Sequence, residues 1–185
     1  MMLAYVFWHW PRAEVTEPAY EAQLSRFHAS LRAHSPQGFN GSATFRVSGA
    51  DWLPLGKGYE DWYCVTDFQA IGLLNDAAVS GERQEPHDRV ARAAAGGCAG
   101  IYRLRLGEFL PNRPPVQSWF SKPAGMRYEE LFSIVGPLAG APEGALWQRQ
   151  MTLGPTPEFC VQAPASVLLP AGIDPLVVAA SRVWP

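Results

Sequence analysis

The chain has 185 residues, 48% of them hydrophobic and 12% aromatic, and a formal net charge of −2. Core material on that scale excludes a disordered chain, and the absence of a Lys/Arg-rich tract excludes a dedicated nucleic-acid binder. Three separated cysteines form neither a paired metal motif nor an even disulfide framework.

The longest apolar runs fall short of the roughly eighteen residues that cross a bilayer. Met1 to Trp10 lacks a basic leading segment and runs into Pro11-Arg12, so no signal peptide is read and a cytoplasmic protein is expected.

Leu3 to Trp10 reads as a strand ended by Pro11. Tyr5 and Phe7 fall on one face, Val6 and Trp8 on the other, and a strand apolar on both faces is expected to be covered on both. Thr16 caps a predicted helix with Pro18 in its first turn. Tyr20, Leu24, Phe27 and Leu31 form its buried stripe, and Ser35-Pro36-Gln37-Gly38 stops it.

Phe39 to Val47 alternates as a second strand, with Ala43, Phe45 and Val47 opposite Thr44, Arg46 and Ser48. A loop from Gly49 to Gly58 carries Asp51 and Trp52. Asp61 to Phe68 is the predicted third strand, after which Asp67 caps a helix through Ile71, Leu74 and Val79. Pro86 opens a second short helix, His87 to Ala95, stopped by Gly96-Gly97, and Ile101 to Leu106 is the fourth strand.

This order is β-α-β-β-α-β, the ferredoxin-like pattern. Pro111-Asn112-Arg113-Pro114-Pro115 reads as a linker, and after it the pattern begins again. Val116 to Lys122 stops before Pro123 as the first strand stops before Pro11. Tyr128-Glu129 echoes Tyr20-Glu21, Ala145 to Leu153 echoes the second strand, and Phe159-Cys160-Val161 echoes Tyr63-Cys64-Val65. Val177 to Trp184 closes the second copy. Pro164, Pro170 and Pro175 deny it the helix that the first copy has before its last strand. The expected domains are 1–110 and a shortened 116–185, joined by 111–115.

Two such α+β units in tandem, with strands apolar on both faces, resemble the dimeric α+β barrel superfamily. One chain would here supply both ferredoxin-like halves, whose antiparallel sheets pack into a barrel-like core with the second repeat eroded. The resemblance covers nearly the whole chain through element order and periodicity, and singles out no member. Members of that superfamily include small quinone-forming monooxygenases, lactone isomerases, haem-binding peroxidases and haem-degrading enzymes. It implies a small-molecule pocket between the sheets.

Arg46, Arg103 and Arg105 lie on strands, with Arg149 and Arg182 on the matching strands of the second copy. Facing a pocket, they would hold a carboxylate or enolate by paired hydrogen bonds. At strand ends they would reach solvent or pair with Asp61, Asp67 or Glu158. His9, between Trp8 and Trp10, reads either as a general base or as a strand-end cap. His28 borders the buried helical stripe, and His87-Asp88 lacks a further metal ligand at helical spacing. Cys64 and Cys160 hold equivalent places and read as packing residues. Trp52 reads as a rim residue or a hydrophobic plug, and Gly56-Lys57-Gly58 is too short for a phosphate loop.

The expected function is a cofactor-independent monooxygenase- or isomerase-like reaction on a small carbonyl or aromatic compound. His9, Arg46 and Arg103 supply the base and anion-stabilising groups, with Trp8, Trp10, Trp52, Trp62 and Arg105 as ligand contacts. Two alternatives stay open: a non-catalytic ligand-binding or assembly protein, and a haem-binding barrel with His9 as axial ligand. No metal site and no cofactor is expected. The expected partner is a small molecule, with neither nucleic acid nor membrane, and the expected state is a monomeric pseudo-dimer or a homodimer.

Overall fold

The computed structural model describes residues 1–109, 116–139, 144–151 and 154–184. The predicted linker, 111–115, lies outside the described residues, as do 152 and 153 at the end of the predicted sixth strand. The content is α+β, and eight strands close into one antiparallel barrel.

The elements in chain order are β1 (Leu3–Pro11), α1 (Glu17–Ala33), β2 (Phe39–Ser48), β3 (Lys57–Val65), α2 (Phe68–Ala78), α3 (Gln84–Ala93) and β4 (Ala94–Gly107). There follow β5 (Val116–Phe120), α4 (Tyr128–Ala139), β6 (Ala145–Gln150), β7 (Phe159–Ala163) and β8 (Leu176–Trp184). Around the barrel the order is β1-β3-β2-β8-β5-β7-β6-β4, with β4 pairing back onto β1. The arc β4-β1-β3-β2 is thus followed by β8-β5-β7-β6, the same order in each half. The halves are joined by β2 against β8 and β4 against β6.

Period-two alternation decides which side chains enter the barrel. Val6 and Trp8 of β1, Ala43, Phe45 and Val47 of β2, and Trp62 and Cys64 of β3 point inward. They meet Tyr102, Trp119, Trp147 and Cys160 from the other strands. The four tryptophans are fully buried, and Trp8 meets Trp119 edge to face with ring centroids 5.6 Å apart. That is a favourable quadrupole geometry for large rings. The space between the sheets, expected to hold a pocket, is filled by these rings, because β1 to β6 each turn a large aromatic side chain inward.

The outward faces are covered differently in the two halves. Leu3, Tyr63 and Val65 pack under Phe27 and Leu31 of α1 and Ala70 and Leu74 of α2. In the second half α4 alone supplies Leu131, Val135 and Ala139, and the helix-free segment after β7 adds Leu169 and Ile173 over Phe120, Phe159 and Val161. No helix among the described residues is long and apolar enough to cross a membrane.

Several boundaries differ from the expected ones. β3 runs Lys57–Val65 rather than Asp61 to Phe68, because Asp67 accepts a hydrogen bond from the Ala70 amide and Phe68 already opens α2. β5 ends at Phe120, two residues short of Lys122. α3 ends at Ala93, and Gly96-Gly97 belong to β4, which starts seven residues before Ile101. The glycines there answer to close approach rather than to a helix stop. A Cβ on Gly96 would come within 2.6 Å of the Trp10 ring, and one on Gly97 within 2.5 Å of the Phe7 ring.

Candidate functional site

The outward face of β3 carries Tyr59, Asp61 and Tyr63 at strand period, and α1 lies over it. Register places Asp61 opposite Phe7 of β1 on one side and Thr44 of β2 on the other. Tyr63 Oη donates to Asp61 Oδ2 at 2.7 Å, and Thr44 Oγ1 donates to Oδ1 at 2.7 Å. His9 Nε2 stands 3.2 Å from Oδ2 and His28 Nε2 stands 3.3 Å from Oδ1, all three side chains being buried. The His9 contact is at ion-pair distance but off the line of a hydrogen bond. Burial opposes a charge on Asp61, yet the neighbouring histidines and their hydrogen bonds outweigh it and hold the carboxyl well below its ordinary range.

Each histidine is tied to a hydroxyl on its far nitrogen. His9 Nδ1 is 2.7 Å from Tyr20 Oη, and His28 Nδ1 is 2.7 Å from Ser42 Oγ. Thr44 spends its proton on Asp61, so the 2.6 Å contact between Thr44 Oγ1 and His28 Nε2 requires the imidazole to donate. His9 lies between the Phe7 and Tyr59 rings, centroids 5.2 and 5.8 Å away, and His28 stacks on Tyr63 at 5.1 Å. Burial, followed by the Asp61 charge, pushes the Tyr20 and Tyr63 phenols above their usual range.

Beside this cluster a cavity of about 450 Å³ lies between the outer face of β1 and β3 and the helices α1, α2 and α3. Its volume falls within the range of small-molecule sites. Phe27, Leu31, Ile71, Leu74 and Val90 make an apolar wall, and Tyr5, Tyr20, Asp61, Tyr63 and His87 add the polar part. Neither lysine nor arginine is among the described residues of the wall.

A second buried acid sits back to back with the first. Glu60 points into the barrel, where Trp8 Nε1 donates to it at 2.6 Å and Trp62 Nε1 and Gln117 Nε2 also donate. Burial raises its carboxyl to about 7, against the pull of those three N–H donors.

Of the residues singled out from sequence, His9 joins this cluster and the others lie apart from it. Arg46 is half-exposed and ion-paired to Glu17 at 2.8 Å and Glu21 at 3.8 Å, on the row of His9 and Tyr59 but turned to α1. Arg103 sits on β4 opposite Leu3 and Gln148. Arg105 donates to Gln148 Oε1 at 2.7 Å and lies over the Phe132 ring. Trp8 and Trp62 are enclosed in the barrel, and Trp10 packs over Gly96. Trp52 closes on Trp8 and Trp119 edge to face, with centroids 5.7 and 5.3 Å away. Among the described residues no group of three His, Cys, Asp or Glu side chains is placed to hold a metal ion.

Sequence reasoning left Tyr20, His28, Thr44, Asp61 and Tyr63 out of the site. Their signal was an acid flanked at strand period by Tyr59 and Tyr63, beneath a helix whose buried stripe carries Tyr20 and His28.

No protein-family model and no curated protein matches the chain. Among solved structures it is similar to an anthrone oxidase-like protein, at 9% identity and a TM-score of 0.50, covering 97% of this chain and 91% of that one. It is also similar to a candidate chlorite dismutase, at 12% identity and a TM-score of 0.51, covering 98% and 95%. At such identity the likeness is one of fold, and the fold is that of the α+β barrel proteins.

Proposed function

We propose that this α+β barrel protein binds a small aromatic or carbonyl compound in the cavity outside the barrel, and acts on it in a cofactor-independent, monooxygenase- or isomerase-like way. The observation that carries this reading is an apolar cavity whose wall includes one buried carboxylate, Asp61, flanked by two histidines. His9 is the base of the proposal. Arg46 and Arg103 take no part in binding, since the wall contains neither. A carboxylate without a cationic partner in the wall disfavours anionic ligands and suits neutral ones that donate a hydrogen bond.

The repeated strand order supports two ferredoxin-like repeats, 1–110 and a shortened 116–185, arising by duplication. Only the first carries three helices over its sheet, which is what leaves room for the cavity. We further read the protein as cytoplasmic, and as a monomeric pseudo-dimer or a homodimer. His9 does not fit the axial ligand of a haem, because one ring nitrogen is bonded to Tyr20 and the other faces Asp61.

Fluorescence titration with 1-naphthol tests the site. Ala78 lines the cavity from α2 and is only partly buried, so Ala78→Trp fills the space without disturbing the barrel. Saturable binding is expected in the wild type and at least about tenfold weaker binding in the variant, a loss of about 1.4 kcal/mol. Equal affinity in two equally folded proteins would remove the cavity from consideration. Recovery of bound naphthol unchanged after prolonged aerobic incubation would favour the non-catalytic binding protein.

A further inference from the structure

We infer that Tyr20 is the group that takes a proton from a neutral hydroxylated aromatic ligand, passing its own proton to His9, while Asp61 positions His9 and holds the charge it acquires. This rests on the cavity reading above. His9 is absent from the cavity wall, whereas Tyr20 and Asp61 both belong to it. A ligand in the cavity therefore meets Tyr20 and Asp61 rather than the imidazole, and of the two it is Tyr20 that is hydrogen-bonded to His9.

The three groups follow one another: Tyr20 Oη is hydrogen-bonded to His9 Nδ1 at 2.7 Å, and His9 Nε2 stands at ion-pair distance, 3.2 Å, from Asp61 Oδ2. With Tyr20 donating, Nδ1 is the acceptor and the ring proton sits on Nε2 toward the carboxylate. Hydroxyl, imidazole and carboxylate in that order are the arrangement by which a buried acid orients a base and stabilises its cation.

In the step, the ligand O–H bond breaks and its proton goes to Tyr20 Oη, while the Tyr20 O–H bond breaks and that proton goes to His9 Nδ1. The ligand becomes a phenolate or enolate and His9 an imidazolium beside ionised Asp61. Tyr20 ends as the neutral phenol it began as, and no electron leaves the system. The groups facing His9 are Tyr20 from α1 and Tyr59 and Asp61 from β3, so Asp61 is the adjacent charge. Thr44 and Tyr63 hold that carboxylate by hydrogen bonds from its other sides, and His28 also stands against it, its Nε2 3.3 Å from Oδ1. The apolar body of the ligand is met by Phe27, Leu31 and Leu74.

4-Nitrophenol, whose phenol and phenolate differ in colour, tests the inference against 4-nitroanisole, which has no proton to give. In the wild type the bound phenol is expected to ionise at least about one pH unit lower than in Tyr20→Phe, a tenfold difference. Both proteins should bind the anisole alike, and His9→Gln should match Tyr20→Phe. A bound probe that stays neutral in the wild type, or ionises equally in Tyr20→Phe, overturns the inference and leaves the cavity reading standing. If neither probe binds, the cavity reading falls and this one with it. Should Tyr20→Phe not fold, the wild-type spectrum decides alone, because a neutral bound phenol contradicts the relay.

Discussion

Adjacent residues of one strand carry two buried acids into opposite environments. Asp61 faces two histidines and two hydroxyls outside the barrel, and its charge is held. Glu60 faces indole and amide N–H groups inside, where burial raises it to about 7. The two make opposite contributions to stability against pH. Glu60 binds its proton more tightly folded than unfolded, where a glutamate titrates near about 4.3, so folding weakens as pH rises from there to about 7. Asp61 contributes stability above the ordinary carboxylate range, lost as the pH falls below it. Urea unfolding at about pH 5 and about pH 8 should therefore show Glu60 costing up to about 3 kcal/mol at the higher pH. In Glu60→Gln that slope should vanish, although the amide also turns an N–H toward donors and lowers stability throughout. A slope unchanged in the variant would assign the titration elsewhere.

At the scale of elements, β4 is the most demanding strand. Its first half is a run of small residues, and the rings of Trp10, Phe7 and Tyr102 come within 2.6, 2.5 and 2.8 Å of where a Cβ would stand on Gly96, Gly97 and Gly100. Gly97→Ala would set a methyl within 2.5 Å of the Phe7 ring and 2.8 Å of the Trp8 carbonyl. A loss of about 1–3 kcal/mol is expected, read as a lower urea midpoint with unchanged slope; no loss would mean that β4 moves freely against β1. In the sequence, Gly96-Gly97 after a helical stretch reads as a stop signal, since local pattern cannot see a ring arriving from a strand more than eighty residues earlier. The α1 helix was legible because its proline and its buried stripe are local, and Thr16 does stand at its N-cap position although its side chain makes no capping hydrogen bond. The sheet alternation of β2 was legible for the same reason.

At the scale of the molecule, closure leaves every strand a neighbour on both sides, so the barrel has no open edge. Val47 pairs with Gly58 of β3 and Ala180 of β8, so a proline there removes a ladder bond to one of these two strands. Val47→Pro should cost about 1–3 kcal/mol for the buried partner left unpaired. Because Trp8 and Trp62 from one half interlock with Trp119 and Trp147 from the other, near- and far-ultraviolet circular dichroism should report one unfolding transition at a lower temperature. Two separated transitions would show that the halves fold independently.

By itself the sequence determined the elements, their alternation and the α+β class, because capping, helical stripes and period-two patterns act over a few residues. It also singled out His9, as either a base or a strand-end cap. Tertiary structure alone decided that the barrel interior is full and that the cavity lies outside it, since that depends on how rings from six strands share one volume. It alone brought Asp61 to His9, His28 and Thr44, and Tyr20 to His9, across separations that only strand register and helix packing can close. Arg46 and Arg105 stayed apart from them because nearer partners, Glu17 and Glu21 for Arg46 and Gln148 for Arg105, are already in reach.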